Sequence, residues 1–171
     1  MTSDQAEFLL NHVYLPQMKN ERKATRRVIE SVPVDKGDYR PDPVSMCALD
    51  LAWHIAASEC YFVNSVAIGK FEAGPVKPES IKTSADVLKW YDENIAKATA
   101  AVSGLKGAAL AQDLAFAGYF NLPAVAYLGF MSSHSIHHRG QLSAYLRPMG
   151  AKVPSIYGPS GDEPVGTTAK A

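Results

Sequence analysis

Apolar residues return every three or four positions along most of this chain, in long runs that end on proline or glycine. Val87, Tyr91, Ile95, Ala98, Val102 and Leu105 form the clearest run, capped by Thr83 or Ser84 and closed at or just before Gly107. That rhythm gathers one apolar face on an α-helix, whereas a half-buried strand would alternate. Met46, Leu49, Trp53, Ala56, Cys60, Val63 and Ala67 repeat it between about Ser45 and Gly69 as a core stripe. Residues 4 to 32 read as an earlier helix, capped by Asp4 and carrying Phe8, Leu9, Met18, Val28, Ile29 and Val32 on its apolar side, with a kink or break expected at Pro16. A last helix is expected to open at Asn121 and Pro123 and to end near Arg147, before Pro148 and Gly150.

The stretch VPVDKGDYRPDP reads as a long connection and GAALAQDLAFAGYFNLP as an irregular one. No segment shows strand alternation between hairpin turns. The expectation is therefore an all-α fold, a four-helix bundle of antiparallel type that admits one long crossover. Residues 1 to 158 form it as one domain, and the small polar residues from 159 to 171 are expected to be a flexible tail. A chain of 171 residues buries enough apolar surface to fold without a metal or disulfide.

Charge narrows the function. Lys+Arg and Asp+Glu balance at 17 each, so no positive field draws in nucleic acid or an anionic lipid surface. The apolar runs are far too short to span a membrane. The start, MTSDQAEFLLNHVYL, lacks the basic opening and unbroken apolar stretch of a signal peptide, so a cytoplasmic protein is expected. Cys47 and Cys60 lack CxxC spacing and read as small buried apolar groups kept reduced, ahead of a disulfide or a thiol catalyst.

Three of the five histidines fall within HSIHHRGQ, residues 134 to 141. On the last helix the apolar stripe runs Tyr127, Met131, His134, His138, Leu142 and Tyr145, which puts two histidines in core positions. Residues four apart lie about 40° apart around a helix and one turn along it, so these two imidazoles can reach one point. His137 is rotated about 100° from His138 and faces elsewhere. Two buried imidazoles each need a partner, and a metal ion satisfies both, but a third ligand must come from another helix. His54, on the border of the second helix's stripe, is one source and His12 the other. A satisfied pair of core histidines is the competing reading of the same spacing.

Neighbouring residues leave similar choices. Arg139 suits either an anionic substrate or a solvated surface salt bridge. Gln141 suits either a hydrogen bond to a ligating histidine or one to another helix. Asp50 and Ser58, one turn either side of His54, suit a supporting role, with Asp50 a conceivable fourth ligand. Gly140, which costs a helix about 1 kcal/mol relative to alanine, points to a close helix contact or an approaching ligand.

Taken together, the histidine in LAWHIAASE, the segment HSIHHRGQLSAYLR and the following PMGAKVPSIYG resemble the DinB-like (DinB/YfiT) metalloenzymes, in matching order and spacing from about Gln5 to Gly158. The resemblance implies an up-down-down-up four-helix bundle, a homodimer, and a divalent metal, zinc or nickel, held by His54, His134 and His138. His137 matches an extra histidine of that motif that is not carried over as a ligand. The resemblance further implies a metal-dependent enzyme, a thiol S-transferase acting with a low-molecular-weight thiol and an electrophile, or a hydrolase. Three nitrogen ligands leave an open coordination position, as in reactive rather than structural sites. The residues between the ligands, Ser135, Ile136 and His137, include no glutamate to act as general base. A non-catalytic metal-binding or stress-response protein is the alternative, and a metal-free interaction module a third reading.

Overall fold

The computed structural model describes residues 1–164, which fold into a helical bundle. The first rod is α1 (Ser3–Phe8), a π-helical turn (Leu9–Tyr14) and α2 (Leu15–Glu30). Then come α3 (Ala48–Ile68), α4 (Ser84–Ser103), the short α5 (Gly107–Ala111), an antiparallel pair β1 (Asp113–Phe116) and β2 (Phe120–Pro123), and α6 (Ala126–Leu146). Among the described residues no helix is long and apolar enough to cross a membrane.

Directions follow from side-chain pairs. Gln17 meets Ser132 and Arg139 meets Glu21 and Thr25, so the first rod and α6 run parallel. The ring of His54 lies against His138 while Phe62 lies against Phe130, so α3 and α6 are antiparallel. Arg22 pairs with Asp92 while Ser84 bonds the Val32 carbonyl, so α4 opposes the first rod and runs parallel to α3. The order is up-down-down-up, and residues 69 to 83 make the crossover.

Several boundaries differ from expectation for local reasons. Thr2, not Asp4, caps the first rod, in a capping box with Gln5. Pro16 neither breaks nor ends the rod. The π turn widens the backbone ahead of it, with the Leu15 N–H bonding Leu10 five residues back, and so accommodates the missing donor and the ring. α3 begins at Ala48, which leaves Met46 outside the helix and exposed. Its buried face is also wider than the expected stripe, since Leu51, Ala52, Ile55 and Val66 are buried as well. An almost all-round buried helix cannot be described by one stripe.

The segment expected to be irregular contains α5 and the hairpin, so α6 opens at Ala126 rather than at Asn121. Ala117 and Gly118 both have positive φ, 54° and 71°, at the hairpin turn. Alanine there carries no turn signature, which is why the pattern reads as loop. The Tyr127 hydroxyl donates to the Leu114 carbonyl at 2.6 Å and ties the hairpin to α6. Gly107 opens α5 against Ser3, where a Cβ would run into the Ser3 backbone. The two cysteines are free and buried, and burial pushes the Cys60 thiol well above its ordinary range.

The first residues of the expected tail, up to 164, make bonds to the bundle. Glu163 pairs with Arg27 at 2.6 Å and accepts from the Ser155 N–H at 2.7 Å, and Asp162 pairs with Arg147 at 3.1 Å. The remainder of that expectation, residues 165–171, lies outside the described residues.

Candidate metal centre

The histidines do not stand in the core. The buried line of α6 is Leu128, Met131, Ser135, Arg139, Leu142 and Leu146, while His134 and His138 are half-buried beside it, facing α3. His54 meets them from α3. The Nε2 atoms of His54 and His134 are 3.2 Å apart, and ring centroids lie at 4.4 Å for His134 and His138 and 4.5 Å for His54 and His138. One nitrogen from each of the three rings lies within 4.8 Å of the others, so the group could hold a metal ion.

The spacing fits an ion. Nitrogens about 2.1 Å from a tetrahedral centre are about 3.4 Å apart, and at a right angle about 3.0 Å; 3.2 Å lies between the two. Gln141 Oε1 lies 2.6 Å from His138 Nδ1, and an amide oxygen accepts, so the proton sits on Nδ1 and Nε2 keeps its lone pair. His134 Nδ1 is buried without a hydrogen-bond partner among the described residues. Burial, reinforced by the His138 and His54 rings, lowers the His134 pKa to about 4, and burial followed by His138 lowers that of His54. Both are neutral near pH 7, the state in which imidazole binds metal.

Other candidates go elsewhere. His12 is exposed on the first rod, its ring 4.9 Å from Phe8, and supplies no third ligand. His137 is exposed and touches only the edge of the His138 ring, at 4.8 Å. Asp50 is no fourth ligand: it pairs with Lys77 and accepts from the Cys47 thiol at 3.1 Å, and Lys77 foremost holds its carboxyl below the usual range. Ser58 stays beside His54, lining with Trp53, Ala57, Tyr61 and Pro75 a hollow of about 180 Å³.

Arg139 is neither a substrate contact nor a surface residue. At 1% exposure it is fully buried, pairing with Glu21, bonding the Thr25 hydroxyl at 3.2 Å and reaching Tyr157. Thr25 in turn donates to Glu59 at 2.9 Å, and Tyr91 donates to the other Glu59 oxygen. Sequence reasoning passed over Glu59, though a carboxylate in the middle of the most apolar helix was a signal. Nor does Gly140 mark a close contact, because a Cβ there would meet nothing within 4 Å.

Comparisons with known proteins bear on the family and the fold. The DinB family model matches residues 3–167. Two Bacillus subtilis proteins named as uncharacterized are similar: YjoA, 31% identical over 134 residues, 77% of this chain and 85% of the relative, and YrdA, 27% identical over 158 residues, 90% and 91%. The crystal structure of the DinB-like YjoA superposes with a TM-score of 0.66 at 27% identity, covering 80% of this chain and 92% of that one. A DinB-like protein from Bacillus cereus does so with a TM-score of 0.71 at 21% identity, covering 84% and 95%, which bears on the fold alone. Family match over nearly the whole chain, shared fold and a three-histidine group between α3 and α6 lead to one statement: the chain belongs to the DinB family.

Proposed function

We propose that His54, His134 and His138 bind one divalent metal ion, zinc or nickel, and that the protein uses it as an enzyme, a thiol S-transferase or a hydrolase. The observation that carries the reading is the convergence of three imidazoles, with no carboxylate among them and with those of His54 and His134 held neutral. Imidazole donors suit zinc, nickel, copper and iron rather than magnesium or calcium. When bound, the ion supplies Lewis acidity to a water or thiol at the position the three nitrogens leave open.

The chain's own residues do the rest. Gln141 fixes the tautomer and rotation of His138. Trp53 and Tyr61 wall the hollow beside His54 with aromatic surface, and Ser58 lines the same hollow. With Asp50 committed to Lys77, no carboxylate among the described residues joins the three rings as a general base. The lack of a base, and the small size of the hollow, favour a second reading in which the protein binds metal without turnover. A homodimer belongs to the same proposal. Phe8 and Val13 expose apolar surface on the first rod, 59% and 38%, that a second copy would cover.

Elemental analysis of protein purified without tag or chelator is expected to give one metal ion per chain, and none after His134→Ala. No stoichiometric metal, or a metal content indifferent to His134→Ala, would overturn the reading. Metal without turnover across thiols, epoxides, chlorinated electrophiles and esters would select the binding protein.

A further inference from the structure

On the other side of the α3–α6 pair the core is not filled. A cavity of about 320 Å³ lies between the first rod, α4 and α6, and it shares no lining residue with the hollow beside His54. Met18, Ile95 and Met131 give it apolar walls, and Glu59, Tyr91 and Ser135 meet it with polar groups. Glu59 is 5% exposed, so this is a carboxyl group inside the bundle with open space against it.

No cation among the described residues is hydrogen-bonded to Glu59. Two carboxylates, Glu21 and Glu59, share this core with one buried guanidinium, and Arg139 is spent on Glu21. Arg22, which also lines the cavity, pairs with Asp92, which it shares with Arg26. Lys19 lines it from an exposed position, where water screens its charge. Glu59 accepts from the hydroxyls of Thr25 and Tyr91, and Arg139 lies one step away, bonded to Thr25 and committed to Glu21. An ionised carboxylate offers about four acceptor positions, so two hydroxyls leave acceptor capacity unused. Burial, the largest influence, pushes the Glu59 carboxyl upward, a strain that a cation beside it would relieve.

We propose that this cavity binds a small primary amine, its apolar body against Met18, Ile95 and Met131 and its ammonium group donating to Glu59. A purely apolar guest would leave the carboxylate desolvated, and a carboxylate guest would set like charges together. Size agrees: an apolar cavity of about 150 Å³ holds benzene, so 320 Å³ accepts a body of about ten heavy atoms.

The five methionines supply the readout. In protein labelled with ¹³C at the methionine methyls, 2-phenylethylamine is expected to shift Met18 and Met131 and to leave Met46 and Met149 in place. The neutral 2-phenylethanol should bind at least tenfold more weakly, and 3-phenylpropionate should not bind. Glu59→Gln should bring the amine down to the affinity of the alcohol. Thr99→Trp, which fills the cavity from a half-buried position on α4, should abolish the shifts from both. An alcohol that binds as tightly as the amine, an amine that leaves Met18 and Met131 unmoved, or an amine affinity unchanged in Glu59→Gln would each overturn the proposal. Should Glu59→Gln fail to fold, the amine-to-alcohol ratio and Thr99→Trp decide it.

Discussion

His134 and His138 each precede, by one residue, a side chain of the opposite character. His134 is half-buried with a nitrogen left unpartnered, and Ser135 is buried against the Glu59 network. His138 is half-buried with one nitrogen free for a ligand, and Arg139 is fully buried with every neighbour committed. One residue on a helix is a turn of about 100°, enough to move from a face that opens toward α3 and solvent to one sealed by the first rod. The first face keeps unused bonding capacity at its histidines, which function needs; on the second, Arg139 is bonded to Glu21, Thr25 and Tyr157, which stability needs.

Removing one charge from the sealed face should break that comparison most sharply. Arg139→Met strips Glu21 of its buried partner and leaves Thr25 and Tyr157 with a donor fewer. Loss of one member of a buried pair costs about 3–5 kcal/mol. The denaturant midpoint should fall accordingly, while metal content per folded chain stays unchanged. His134→Ala should do the reverse, with metal lost and the stability of the metal-free protein nearly kept. If both variants lose stability alike, the two faces are not distinct.

Gln141→Ala tests whether the open face depends on its own support. Nothing else holds His138 Nδ1, so metal affinity should fall about 10- to 100-fold, as for other outer hydrogen bonds to ligating histidines. A competition titration against a chromogenic chelator measures it. Gln141→Glu, which still accepts from Nδ1–H, should restore most of the affinity.

The faces should also part with pH. In the unfolded chain His134 takes up its proton near 6.5, but in the folded protein only near pH 4. Between these values the unfolded state binds more protons, so stability falls as pH falls, and the loss is complete below about 4. Metal-free wild-type protein should therefore lose more stability between pH 7 and pH 4 than His134→Ala does. Parallel curves for the two proteins would mean that His134 is solvated.

These results also mark what the sequence could carry. Spacing made the histidine cluster legible, because 134 and 138 share a face on any α-helix, and Gln141 follows at the reach of a hydrogen bond. The pairing with His54 rather than His12 came through family resemblance, since periodicity does not say which helices touch. Arg139 could not be read as buried, because its fate depends on the first rod lying against α6, a contact between residues more than a hundred apart. The hairpin escaped for a local reason, an alanine in the left-handed region where glycine or asparagine would have signalled the turn.

The smallest effect concerns glycine on the same helix. Gly140 read as the mark of a close helix contact or an approaching ligand; a Cβ there meets open space, which removes the first, so Gly140→Ala should stabilise the metal-free protein by about 0.5–1 kcal/mol through helix propensity alone. The close approach is at Gly129, three turns earlier, where a Cβ would stand 3.0 Å from the Tyr14 hydroxyl and 3.2 Å from its ring. Tyr14 ends the π turn that carries the first rod past Pro16, so it cannot step back without moving that turn. Gly129→Ala should therefore lose stability despite the same gain in propensity. Opposite signs in paired thermal melts would place the tight packing of α6 at its N-terminal end and the room beside the histidines at its C-terminal half.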